Sequence, residues 1–343
     1  MAEEKTKKPM NRGTRTLLIA VCVIVGIALL LGAAVLILHS IGRNQLTDDG
    51  SGMGGAEGAE ILGEGRVRYQ GQLYQYKRGI TTILLMGVDG REKPASEGEF
   101  TEANQADVDV LMVLDPKSGN ITLISLSRDA MCQIDITDDT GAIVGSARAQ
   151  LALSYAYGDG AERSCELTRE AVSRVFYGLP ISAYASIYLN GITELVGEVG
   201  GVTVTALETI GPFTKGETVK LDRSNAETYV RYRVHDTEGN NRRMERQKQV
   251  LMEMIRTMLS RVRQKPTSIL STFNAVQRNV TTDLNAASMV YLARIASGMK
   301  LNNDVIKVQG ESVLGAENHA EFNVDETALY ELILSVFYEP IEG

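Results

Sequence analysis

Residues 16–38, TLLIAVCVIVGIALLLGAAVLIL, contain no charged side chain. As one helix they would extend about 34 Å, enough to cross the hydrocarbon core of a bilayer. Lys5, Lys7, Lys8, Arg12 and Arg15 precede the run, whereas Arg43 stands alone soon after it. Cations collect on the cytoplasmic side of a span, so the expectation is a cytoplasmic tail (1–15), a transmembrane helix (16–38) and everything from His39 onward outside the cell membrane. A cleaved signal peptide fits less well. The apolar run exceeds a normal signal core, and no clear small-x-small cleavage site precedes a polar start.

The stretch DDGSGMGGAEGAEILGEG, residues 48–65, is rich in glycine and poor in large side chains. Such composition does not build a core, so residues 39–78 read as a flexible extracellular linker. From residue 79 to 343, apolar runs alternate with polar punctuation without an internal repeat, and that length suits one large domain. The net charge of −8 argues against nucleic-acid binding, which wants a basic surface. The three histidines (His39, His235, His319) are far apart and no cysteine cluster of zinc type exists, which disfavours histidine triads and zinc catalysis.

Within the domain, ITTILLMGV (80–88), DVLMVLD (109–115) and NITLISLS (120–127) read as strands, the last two joined by the short turn PKSGN. AERSCELTREAVSRVF (161–176) has helical spacing, and a long helix is expected from about Asn241 to Val262, with Leu251, Met254, Ile255 and Met258 on its core face. NAASMVYLARIASGM and DETALYELILSVFY read as later helices. Strands covered by amphipathic helices predict an α/β fold, a three-layer α/β/α domain around a central mixed sheet.

Polar residues interrupt these elements at particular places. Asp89 and Arg91 follow the first strand, Asp107 opens the second, and Arg128 and Asp129 end the third. In a hairpin the start of one strand and the end of the next share an edge, so Asp107 and Arg128 should be neighbours. Arg243, Arg246 and Gln247 lie at i, i+3, i+4 on one stripe of the long helix, shortly after Arg231 and Arg233. Guanidinium forks at a helix start suit phosphate oxygens. From charge alone a solvated face neutralised by Glu238 and Glu245 is the plainer reading, and turn or capping roles serve equally for Asp89 and Asp107.

Taken together, LLMGVDGR, ADVDVLMVLDPKSGNITLISLSRD, LALSYAYGDG, VGEVGGVTV, YVRYRVHD and RMERQKQVL resemble the LytR-CpsA-Psr family of cell-envelope phosphotransferases in order and spacing. The resemblance implies transfer of a glycopolymer, a teichoic acid or capsular polysaccharide, from an undecaprenyl-pyrophosphate carrier to a peptidoglycan sugar hydroxyl, forming a phosphodiester. By motif position it implies that Asp89 and Asp107 bind Mg²⁺ (or Mn²⁺) and act in catalysis with Arg128. Arg91, Arg128, Arg231, Arg233, Arg243, Arg246 and Gln247 match or neighbour pyrophosphate-binding positions. Asp107 serves either as metal ligand or as general base. The polyprenyl chain needs an apolar slot, for which the faces of helix 161–176 and of LALSYAY are candidate walls, although ordinary core is the plainer reading for most of them. One departure stands out: Gln105 occupies a position where many relatives carry arginine. Two other functions remain open, a polyprenyl-phosphate-binding envelope sensor and a lipid pyrophosphatase with no sugar acceptor.

Cys132 and Cys165 are the only cysteines beyond the anchor, which holds Cys22. In an oxidising compartment two such cysteines predict a Cys132–Cys165 disulfide, closing a loop of about 34 residues and worth roughly 3–4 kcal/mol in the chain-entropy model. The alternative is two buried thiols.

Overall fold

The computed structural model describes residues 32–89, 104–232, 239–265, 280–315 and 319–342. Helix α1 covers 32–46, so of the expected membrane span only residues 32–38 are described. Among the described residues no helix is long and apolar enough to cross a membrane.

The flexible linker expected over 39–78 is overturned. β1 (Glu60–Gly63), β2 (Arg66–Tyr69) and β3 (Gln72–Tyr76) form an antiparallel sheet that the C-terminal strand, Tyr338–Ile341, extends beside β3. Met53, Val67 and Tyr76 are buried. The glycines that suggested flexibility are turn residues instead: Gly50 and Gly65 hold φ of +68° and +69°, and a Cβ on Gly50 would meet the Tyr76 ring at 2.4 Å. A few apolar side chains suffice here because the end of the chain supplies the other half of the small core.

The apolar runs nearest the acidic and basic motifs become β4 (Thr81–Val88), β5 (Ala106–Asp115) and β6 (Asn120–Leu126), each antiparallel to the next. Asp115 Oδ1 closes the β5–β6 turn by accepting from the Lys117 and Ser118 amides at 2.9 and 3.2 Å. Next come the hairpin β7 (Met131–Thr137) and β8 (Ile143–Gln150), helices α2 (Ala152–Ala156) and α3 (Glu162–Val175), β9 (Ala183–Tyr188) and α4 (Leu189–Glu198). β10 (Val202–Thr205), β11 (Thr218–Leu221), α5 (Ala226–Arg231) and the long α6 (Gly239–Gln264) follow. The chain closes with β12 (Val280–Thr282), α7 (Ala286–Ser297), β13 (Lys300–Lys307), the hairpin β14 (Gly310–Leu314) and β15 (Ala320–Val324), α8 (Glu326–Phe337) and β16 (Tyr338–Ile341).

The central sheet runs β12-β9-β4-β5-β6-β13 and is mixed, with β9 parallel to β4 and β13 parallel to β6. Because strand side chains alternate, its two faces pack against different elements. Leu84, Met86, Leu111, Val113 and Ile124 join Tyr155, Cys165, Val172 and Phe337 in one core. On the other side Val108 and Val110 meet Val250 and Met254 of α6, while Ile83 and Leu114 meet Met289 and Leu292 of α7. Helices therefore cover both faces, and the layered α/β arrangement expected from the alternating runs is observed.

The predicted disulfide is a correction. Cys132 on β7 and Cys165 on α3 are both free and buried. They share a core, but Cys165 Sγ turns toward β9 and donates to Ser186 Oγ at 3.3 Å. Burial pushes both thiols up to about 12. Common burial does not make two thiols face one another, and sequence separation carries no information on that geometry.

Candidate active site

The antiparallel order of β4, β5 and β6 brings the end of the first, the start of the second and the end of the third to one edge. Asp89 lies just past β4, Asp107 is the second residue of β5, and Arg128 lies two residues past β6. The expected neighbours meet there: Arg128 Nη1 donates to Asp107 Oδ1. Its Nη2 donates to Gln105 Oε1 at 2.5 Å, and its Nε lies 3.5 Å from Asp129 Oδ1. Gln105, at the position where many relatives carry arginine, therefore orients the guanidinium of Arg128.

A second pair comes from α6. Arg243 Nη2 donates to Asp89 Oδ2 at 3.0 Å, with Asp89 a third exposed and Arg243 mostly covered. The two pairs belong to one electrostatic site, since both Asp89 and Arg243 act on the Asp107 carboxyl. Burial, opposed by Arg128 and reinforced by Asp89, raises Asp107 to about 6. Asp129 is also raised, chiefly by burial.

Two polar atoms here lack hydrogen-bond partners among the described residues, Asp107 Oδ2 and Arg243 Nε. Buried orphans are uncommon because each forfeits its hydration, and at a strand edge lined by arginines they mark places a ligand would fill. No three His, Cys, Asp or Glu side chains among the described residues gather closely enough to hold a metal ion by themselves. Asp89 with the orphaned Asp107 oxygen nonetheless fits Mg²⁺, which keeps waters and phosphate oxygens in its shell and needs only one or two carboxylates.

Not every expected residue reaches this edge. Arg91 and Arg233 lie outside the described residues. Arg231 sits at the end of α5 and pairs with Glu227 at 2.7 Å. The phosphate-binding expectation for Arg246 is corrected by its surroundings. Arg246 is 1% exposed; its Nε donates to Tyr229 O at 2.9 Å, its Nη2 to Tyr232 O and its Nη1 to Glu208. Gln247 Nε2 donates to Val230 O at 3.2 Å. Helical spacing places Arg243, Arg246 and Gln247 on one stripe, but α5 and Tyr232 cover its middle, so Arg243 opens on the charged edge and Gln247 on an adjoining cleft.

Glu208, the carboxylate on which Arg242 and Arg246 converge, was not singled out by sequence. It lies between Leu207 and Thr209, and nothing local marks it. Asp109 had a visible signal, a charge inside the run DVDVLMVLD. It is 1% exposed, its carboxylate oxygens have no partner among the described residues, and burial with the neighbouring Asp107 raises it to about 8.

Beneath the charged edge, on the α6 and α7 side of the sheet, lies a cavity of about 200 Å³ lined by Leu85, Met112, Ile187, Leu251, Met258 and Leu292 among others. Ile187 and Leu251 also line a small cleft with Gly87, Val88, Val108 and Gln247, which adjoins the strand ends carrying Asp89 and Asp107. The candidate lipid walls on LALSYAY and helix 161–176 are corrected accordingly. That side is filled core, with Tyr155 wholly buried and its hydroxyl donating to Gly160 O at 3.1 Å.

The mixed α/β domain thus joins paired arginines and carboxylates at one sheet edge to an apolar cavity beneath it. The chain belongs to the LytR_cpsA_psr family, which it matches over residues 57–333. It is 29% identical over 236 residues to polyisoprenyl-teichoic acid–peptidoglycan teichoic acid transferase TagU of Halalkalibacterium halodurans, covering 67% of this chain and 69% of that protein. To the TagU of Enterococcus faecalis it is 29% identical, covering 62% of this chain and 64% of that protein. In fold it is similar to protein gbs0355 from Streptococcus agalactiae, with a TM-score of 0.59 and 23% identity, over 75% of this chain and 86% of the other.

Proposed function

We propose that the chain transfers a glycopolymer of teichoic-acid or capsular-polysaccharide type from a polyprenyl-pyrophosphate carrier to a peptidoglycan hydroxyl. The observation that carries this reading is the adjacency of two unlike surfaces: the Arg128–Asp107 and Arg243–Asp89 pairs at the strand ends and the apolar cavity behind them. A lipid pyrophosphate needs both at once. The names of the relatives favour teichoic acid as the polymer.

In this reading the prenyl chain lies in the cavity and the pyrophosphate meets Arg128 and Arg243 at its mouth. The acceptor oxygen forms a bond to the phosphorus that bears the polymer, the bond from that phosphorus to the bridging oxygen breaks, and polyprenyl phosphate leaves. The acceptor's proton goes to Asp107. Its raised value near 6 keeps it ionised at neutral pH while bringing its basicity toward that of an effective base. Arg128 and Arg243 neutralise charge on the phosphates and the leaving group through charge-assisted bonds. Asp89 would hold Mg²⁺ or Mn²⁺, with Asp107 as a second ligand in the alternative where it is not the base; when bound, the ion would supply further neutralisation of the pyrophosphate oxygens. Arg246 and Gln247 keep α5 against α6 and thereby fix the start of the helix that presents Arg243. Residues 16–38 anchor the domain to the outer face of the cell membrane.

The deciding experiment is turnover of a polyprenyl-pyrophosphate glycopolymer with and without peptidoglycan acceptor. Transfer should require the acceptor and release polyprenyl phosphate. Acceptor-independent hydrolysis would make the protein a pyrophosphatase, and binding without turnover a sensor. Asp107→Asn should lower turnover by on the order of 10²–10⁴ with little change in thermal melting, and wild-type turnover in that variant would remove Asp107 from the chemistry.

A further inference from the structure

Helix α1 presents two different faces within a few residues. Val35, Leu36, Ile37 and Ile41 are between 43% and 59% exposed. The opposite face is docked on α7. Gly42 lies so close that a Cβ would stand 2.2 Å from Ala287 O, His39 and Tyr291 ring centroids are 5.2 Å apart, and Gln45 Oε1 accepts from Asn285 Nδ2 at 3.0 Å. Leu46 enters the same apolar cluster as Met289 and Leu292. These last two side chains line the apolar cavity, so the helix is fixed to the cavity's own wall.

Where the exposed apolar stretch ends, positive charge begins. Arg43 on α1 and Arg294 on α7 are both exposed, and neither forms an ion pair among the described residues. Both act on His39, which is held below its usual range by burial first and then by these two cations. Apolar side chains followed at once by guanidinium groups from two elements match the order of chemistry met on leaving a bilayer, hydrocarbon and then anionic headgroup. Val35, Leu36 and Ile37 also complete the uncharged run that begins at residue 16, so the surface is continuous in sequence with the proposed anchor.

We propose that the α1–α7 face, with Arg43 and Arg294 at its rim, docks on an anionic phospholipid surface and seats the cavity wall against the bilayer. The inference rests on the anchor reading and adds an orientation to it. A tether alone would leave the domain free to turn; a docked face keeps the cavity beside the membrane, so that a prenyl chain passes between two apolar media without crossing water.

The chain contains no tryptophan, which allows a single reporter. Full-length protein carrying Ser297→Trp, on the last turn of α7 beside Arg294, is incorporated into vesicles of anionic phospholipid with brominated acyl chains. Val144→Trp, on the hairpin of the opposite sheet face, serves as reference. The expected result is stronger quenching of the Ser297→Trp reporter than of the reference. That excess should be lost in vesicles of neutral lipid, in the added double variant Arg43→Glu/Arg294→Glu, and in Gly42→Leu, which pushes α1 off α7. Flotation with the vesicles should be unchanged throughout. Protein that floats but shows equal quenching at both reporters, or excess quenching indifferent to lipid charge and to the double variant, would overturn the docking while leaving the anchor standing. Failure to float would overturn both.

Discussion

Arg128 and Arg246 are both mostly buried, both bonded to a carboxylate and both part of motifs that suggest phosphate binding, yet they do different work. Arg128 shares its fork among Asp107, Gln105 and Asp129, retains about a fifth of its side-chain exposure, and stands beside an orphaned carboxylate oxygen. Arg246 spends its donors on Glu208 and on the carbonyls of Tyr229 and Tyr232, with 1% exposure. The difference teaches that an arginine near an anion site is defined by what remains to be satisfied around it. At the strand edge the set is incomplete and a ligand would close it; under α5 the set is already complete.

The comparison breaks most sharply on substitution to alanine. Arg246→Ala leaves Glu208 with only Arg242 and strips two backbone carbonyls of their donor. Removing one member of a buried pair costs about 3–5 kcal/mol, and less here because Glu208 keeps some contact with water. The expected outcome is a large fall in denaturation midpoint, with activity lost through unfolding. Equal stability of variant and parent, together with lost lipid binding, would return Arg246 to the phosphate site. Arg128→Ala should do the reverse, weakening capture of polyprenyl pyrophosphate by about 1.5–3 kcal/mol, the worth of a charge-assisted bond. Arg128→Lys should recover only part of it, because a point charge cannot hold Asp107 and Gln105 in one plane. Titration of the lipid by calorimetry separates the two arginines, and unchanged affinity in Arg128→Ala would sink its role.

The same contrast shows how far the sequence could be read. The hairpin register was legible because strand runs and a short turn determine which ends meet, and Asp107 with Arg128 followed from that alone. The stripe of Arg243, Arg246 and Gln247 was legible as a stripe. What lies on it was not, since α5 reaches that surface through folding of a segment with no periodic relation to α6. Residues 48–76 misled for a related reason: glycine content reads the same whether a chain is loose or tightly turned, and the partner that orders this stretch, β16, is the last strand of the chain. The faces of LALSYAY and helix 161–176 offered candidate lipid walls beside the plainer reading of ordinary core, because apolar periodicity marks a buried face without telling a filled core from a hollow one.

Asp109 sharpens the comparison from the carboxylate side. Two residues from Asp107 on the same face of β5, it sits opposite Met86 and Leu126 in the middle of the sheet, with neither oxygen partnered among the described residues. Burial raises its carboxyl from 3.8 to about 8, so in the folded protein it carries a proton through neutral pH. The folded state then binds more protons than the unfolded state between these values, and stability falls as pH rises across that window. The contribution is fully present below about 4 and lost as pH climbs through about 8. Replacing a poorly satisfied buried acid by an apolar side chain of similar size should stabilise the fold, by on the order of 1–3 kcal/mol. Asp109→Leu is therefore expected to melt higher than the parent, with the gain small at pH 5 and growing toward pH 9. Denaturant titrations of both proteins across that range supply the measurement. A variant less stable than its parent at every pH would show that Asp109 has a partner its surroundings conceal, and would make it a member of the Arg128 set.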